Sequence, residues 1–191
     1  MRANRKVASN SMRIIYTIGH STRTIEEFIA LLREQGIDLL VDIRRFPGSK
    51  RYPHFGKEEL PGHLKAAGID YLHEEAFGGR RDPRPDSVHL AWRNAQFRGY
   101  ADHMDTPEFQ SALDRLLARA DSRRQVLMCA EAVPWRCHRQ LTADAIVGRG
   151  VRVLDIINAG EPTEHKLHKE ARVRPDGTVV YPAAGAQMDL L

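Results

Sequence analysis

Residues 126–146, VLMCAEAVPWRCHRQLTADAI, decide the fold. An apolar run closes on Cys129, a short segment containing Pro134 follows, and apolar residues then recur at helical spacing. The stretch reads as a strand, Gln125 to Met128, that enters a helix from Trp135 to Val147. Strand-then-helix is half of a βαβ unit, and the same signals recur on both sides of it.

Upstream, Ile14 to Ile18 is a short β-branched and aromatic run that ends in the turn Gly19-His20-Ser21-Thr22. Thr24 and Glu27 have the spacing of a capping box, Ile25, Phe28, Ile29 and Leu32 share one helical face, and Gly36 supplies the stop. Leu39 to Ile43 reads as a central strand interrupted by Asp42. The loop RRFPGSKRYPHFG, a helix over Lys57 to Ala67, a strand over Ile69 to Leu72 and the long loop AFGGRRDPRPDSVH come next. Thr106, Pro107 and Glu108 open a helix whose buried stripe is Phe109, Leu113, Leu116 and Leu117.

Downstream, Val151 to Ile157 is a fifth strand, and Pro175-Asp176-Gly177 turns a small hairpin between Arg172 to Arg174 and Thr178 to Tyr181. The alternation predicts an α/β fold: a single-domain, open, mainly parallel, Rossmann-like sheet flanked by helices, with a small C-terminal hairpin. Residues 1–12 read as a flexible leader, 13–182 as the domain and 183–191 as a flexible tail. Of the 191 residues, 42% are hydrophobic and 28% charged, which argues against both a disordered chain and a membrane protein. The basic start lacks an apolar region after it, and the two cysteines stand close together. Both features point to a cytoplasmic protein with reduced thiols. A formal charge of +4 permits contact with phosphates without requiring a nucleic acid.

Loops that leave the carboxyl ends of parallel strands converge on one crevice. The first strand brings His20 and Ser21 there, the second Asp42, Arg44 and Arg45, and the fourth Cys129 and Glu131. Cys129 reads as a nucleophile whose thiolate a helix amino terminus and Arg136 or Arg139 would stabilise, or equally as an inert buried cysteine. His20 reads as a general base or as a turn histidine, and Glu131 as an acid/base group or an arginine's partner. Asp42 would orient His20 or an arginine, or form a buried salt bridge to Arg44. Arg44, Arg45 and Arg51 could hold phosphate or carboxylate, with Phe46, Tyr52 and Phe55 stacking on a ring, or they decorate a surface loop. Cys137 reads as packing beneath the sheet and Trp135 as a cap on the core. Cys129, Cys137 and His138, completed by His20 or His54, could hold a metal, but no paired short cysteine spacing supports it, so neither metal nor cofactor is expected.

TIGHS at 17–21, VDIRRFPGSKR at 41–51 and MCAEAVPWRCHR at 128–139 together resemble a widespread bacterial family, domain of unknown function (DUF) family 488, over roughly Arg13 to Pro182. The resemblance implies an α/β fold and a shared site, and names no substrate. It maps Gly19, His20, Ser21, Asp42, Arg44, Pro47, Ser49, Arg51, Cys129, Glu131, Cys137, His138 and Arg139.

The functional expectation is an enzyme for an anionic, nucleotide-like or nucleic-acid-derived substrate. His20, Asp42, Cys129 and Glu131 would be its catalytic groups. Ser21, Arg44, Ser49, Arg51, Arg136, His138 and Arg139 would bind the substrate. The alternatives are a non-catalytic module that binds nucleic acid or phosphate through this cluster and through Arg80, Arg81 and Arg84, or a Cys/His metal site.

Overall fold

The computed structural model describes residues 13–48, 51–183 and 185. The expected leader, Ser49, Lys50 and most of the expected tail lie outside them. Six strands, β1 (Ile14–Gly19), β2 (Leu39–Asp42), β3 (Asp70–His73), β4 (Gln125–Cys129), β5 (Arg152–Ile156) and β6 (Thr163–Glu164), form one sheet in the order β3-β2-β4-β1-β5-β6. All neighbours pair in parallel except β6, which runs antiparallel to β5. The expected α/β class and mainly parallel sheet are therefore present, and a small antiparallel hairpin, β7 (Arg172–Val173) with β8 (Val179–Val180), stands where Pro175-Asp176-Gly177 placed it.

Strand side chains alternate between two apolar layers, as a period of two requires. Tyr16, Ile18, Leu40, Val126 and Met128 face one layer with Phe28, Leu31 and Leu32 of α1 (Ile25–Glu34) and Leu60 and Leu64 of α2 (Leu60–Ala66). Ile15, Val41, Leu127 and Cys129 face the other, against α3 (Ala95–Met104), α4 (Pro107–Arg119) and α5 (Arg139–Gly148). The Thr24 capping box that starts α1 is formed in both directions, and Thr106 caps α4 ahead of Pro107.

Three elements differ from the sequence reading. The helix expected from Trp135 begins only at Arg139, because Pro134–Arg136 makes a single 3-10 turn and Cys137 is extended at φ −138°, ψ 149°. Trp135 is 61% exposed and does not cap the core. The helix α3 lies in a segment to which the sequence reading gave no element, and the edge strand β6 lies in the stretch after Asn158, read as holding a short helix or an extended piece. Inside α3, a Cβ on Gly99 would sit 2.2 Å from the Arg81 carbonyl oxygen, so the glycine lets the long loop lie directly on the helix backbone. No helix among the described residues is long and apolar enough to cross a membrane.

Strand β4 lies between β1 and β2, so three carboxyl ends stand side by side. The ladder continues past the strands: His20 N–H donates to Cys129 O at 3.0 Å, Ser21 N–H to Ala130 O at 2.8 Å, and Ile43 N–H to Met128 O at 3.0 Å. At Gly19 an added Cβ would lie 1.8 Å from Glu131 O, so the first strand and the Glu131 loop touch backbone to backbone.

Candidate active site

A cleft of about 370 Å³ opens over these three ends, a size in the range of small-molecule sites. His20, Ser21, Arg44, Cys129, Glu131 and His138 line it, together with Arg45, Phe46, Tyr52, Gly79 and Arg80. Segments far apart in sequence thus put their polar tips on one rim.

On the β2 side, Asp42 is fully buried and holds Arg44 in a fork, Nε to Oδ1 at 2.9 Å and Nη2 to Oδ2 at 2.6 Å. Asp42 Oδ1 also accepts the Arg44 amide, and Oδ2 the Tyr71 hydroxyl. Both carboxylate oxygens are engaged, so Asp42 holds Arg44 in place from behind the cleft, which Asp42 does not itself line. Burial alone would weaken the Arg44 cation, but the Asp42 fork more than offsets it and raises its pKa. The corner left over, Nη1, faces His20 Nε2 at 3.5 Å.

On the β1 side, His20 is stacked on Phe55, ring centroids 4.3 Å apart, and its Nδ1–H donates to the Ser21 carbonyl at 3.0 Å. Its free Nε2 is the edge turned to Arg44. Burial, then Arg44, pushes the imidazole down to about 4, so it is neutral at physiological pH. Phe55 is fully buried and is not a stacking surface for a ligand; Phe46 at the mouth is 63% exposed, and Tyr52 also lines the cleft.

At the β4 end, Cys129 Sγ donates to Glu131 Oε2 at 3.1 Å. His138 gives its Nε2–H to the Ile43 carbonyl at 3.1 Å, which turns Nδ1 toward Cys137 Sγ at 3.7 Å and Cys129 Sγ at 4.0 Å. The Cys137 hydrogen bond, followed by His138 and Glu131, holds the Cys129 thiol well below its usual range against burial. Burial, then the hydrogen bond with Cys129, pushes the Cys137 thiol well up. Burial would lower His138, yet the neighbouring Cys129 raises it; burial and then Cys129 raise Glu131. Cys137 is therefore part of this cluster as well as of the core.

The remaining candidates are elsewhere. Arg139 is buried with Nη1 and Nη2 on the Glu131 and Ala132 carbonyls, so it braces the loop, and it does not line the cleft. Arg51 and Arg136 are exposed and do not line the cleft. His54 donates from Nε2 to the Arg23 carbonyl at 3.1 Å and does not line the cleft. Sequence reasoning named Arg80 only in the alternative nucleic-acid or phosphate-binding cluster and did not place Gly79 at this cleft; the Gly78-Gly79 pair ahead of the arginines was the available signal. A Cβ on Gly78 would lie 2.9 Å from Arg45 Cα, so that glycine lets the long loop reach the rim.

No curated protein and no solved structure matches the chain. The family model described as Domain of unknown function DUF488 matches residues 24–146, a span that takes in VDIRRFPGSKR and MCAEAVPWRCHR and leaves out TIGHS. That span is well over half of the sequence, and the chain belongs to the DUF488 family.

Proposed function

We propose that the protein is an enzyme acting on an anionic, nucleotide-like substrate in this cleft. One observation carries the reading: Arg44, locked by Asp42, and a neutral His20 3.5 Å from it line the same 370 Å³ cleft as Cys129, Arg45 and Arg80. Because Asp42 pairs with Arg44 in place, the cations left to meet an anion at the rim are Arg45 and Arg80, with Arg45 Nη1 donating to the Arg80 carbonyl at 2.6 Å. An anion held by these groups is steered inward, and the exposed Phe46 offers a ring at the mouth to an attached base. Ser21 adds a hydroxyl at the same rim.

The reacting end is Cys129 with His138 beside it. The Ile43 carbonyl fixes the His138 ring so that Nδ1 is turned to the sulfur. Glu131 and His20 are the groups within reach to carry protons.

A flat nucleic-acid track is less well supported. Arg81 donates to Gly78 O, Arg84 pairs with Asp86, Asp102 and Asp105, and Arg44 is buried on Asp42, so these cations are largely engaged within the protein. Mass spectrometry of small molecules released from the native protein tests the proposal. An anion should copurify and should be lost in Arg45→Ala/Arg80→Ala; equal yields from both proteins would refute it.

A further inference from the structure

The Cys129 end holds more than one thiol and its partner. Sγ of Cys129, Sγ of Cys137 and Nδ1 of His138 all lie within 4.8 Å of one another. They come from the last residue of β4 and from the two residues that lead into α5, brought together because the loop between them folds back on itself. The sequence spacing hides this, since the loop replaces the tight two-residue turn that usually pairs metal-binding cysteines.

Four observations converge on the cluster. First, His138 has its outer ring N–H on the Ile43 carbonyl at 3.1 Å, the way a metal-bound imidazole is normally held, and this leaves Nδ1 as the ligand edge. Second, a tetrahedral zinc with bonds of about 2.3 Å to sulfur and 2.0 Å to nitrogen sets neighbouring S and N ligands roughly 3.6 Å apart. The observed separations are 3.7 and 4.0 Å. Third, a Cβ on residue 79 would sit 2.8 Å from His138 Nδ1, so any side chain there would crowd the ligand edge, and glycine spares it that. Fourth, the Arg139 amide donates to Cys137 Sγ at 3.4 Å, a contact that supports a thiolate at that position.

We propose that Cys129, Cys137 and His138 bind one divalent metal of the zinc class, with its fourth position open to the cleft. Two sulfurs and an imidazole select zinc over magnesium or calcium, which take oxygen ligands. Cys129 and His138 line the cleft, so the open position faces the space assigned to the anion. The inference rests on the reading of the cleft as a catalytic anion site and specifies its reacting centre: Cys129 serves there as a ligand, and the metal supplies Lewis acidity to whatever occupies the fourth position.

The test uses the full chain, purified with neither added metal nor chelator and analysed for metals. About one zinc per chain is expected. The stripped protein titrated with cobalt(II) should saturate near one equivalent and give the sulfur-to-cobalt charge-transfer band and strong visible bands of a tetrahedral thiolate site. Cys137→Ser and His138→Gln should each lower occupancy at least about tenfold. The cobalt titration on the unsubstituted chain decides the matter even where a variant fails to fold. Less than about 0.1 metal per chain with no charge-transfer band overturns the site. Arg45→Ala/Arg80→Ala separates the two claims. Metal retained with no change in copurified anion would sink the anion reading alone, whereas arginine-dependent anion without metal would sink the metal site alone.

Discussion

Arg44 and Asp42 form a two-point fork within the wall of the cleft, with the carboxylate fully buried and the guanidinium 6% exposed. A buried pair of this kind is costly to break from one side, because the survivor is left charged and unpaired. Arg44→Met and Asp42→Leu should each destabilise the fold by about 3–5 kcal/mol in urea denaturation, and the double substitution by clearly less than their sum. Additive losses would mean that the two side chains do not depend on each other.

Arg45→Ala and Arg80→Ala remove charges from the rim without stranding a buried partner. Each should change stability by less than about 0.5 kcal/mol in the same denaturation assay. The pair should nonetheless weaken binding of a nucleoside monophosphate, read by calorimetry.

Gly19→Ala pushes a methyl into the Glu131 carbonyl, 1.8 Å from where its Cβ would be. Neither neighbour is a flexible side-chain end, so the β1 and β4 loops must separate. Destabilisation of about 2 kcal/mol or more is expected in thermal or chemical unfolding, with loss of the cleft's ligand. An unchanged melting temperature would show that these loops are not in backbone contact.

The pH dependence of stability should follow His165, which lies away from the cleft. Burial opposes its charge, but Asp144 at 2.8 Å and Asp155 at 3.2 Å raise its pKa from 6.5 to about 9. Gln140, the third polar neighbour, carries no charge. A raised folded pKa means that the imidazolium stabilises the fold fully below about pH 6.5, and that this contribution is lost as pH rises through 9. The loss is on the order of 3 kcal/mol. Urea denaturation at pH 6 and pH 9.5 measures it, and His165→Gln should abolish most of the difference.

Much of this architecture was legible in the sequence, for identifiable reasons. The apolar runs at 14–18, 39–43 and 125–128 leave little choice but buried parallel strands, and that alone sends His20, Arg44 and Cys129 to one end. The Thr24/Glu27 and Thr106/Pro107 signals work because capping chemistry is local. Helix α3 was hidden because its inner face carries Asp102 and His103, which are buried against the Arg84 amide and the Ala76 carbonyl, and because Gly99 interrupts it for a tertiary contact. The position of Arg139 was not legible for a related reason: a guanidinium on loop carbonyls has the same sequence signature as one that lines a cleft. The convergence of Cys137 with Cys129 depends on how the 130–136 loop folds, which local spacing does not encode.

The most direct measurement is a calorimetric titration of the intact protein with a nucleoside monophosphate, and with a single-stranded oligonucleotide of the same base, at low and high salt. Saturable monophosphate binding with a shallow salt dependence, weakened in Arg45→Ala/Arg80→Ala, is the predicted result. No monophosphate binding, together with oligonucleotide binding that collapses as salt rises, would contradict the account.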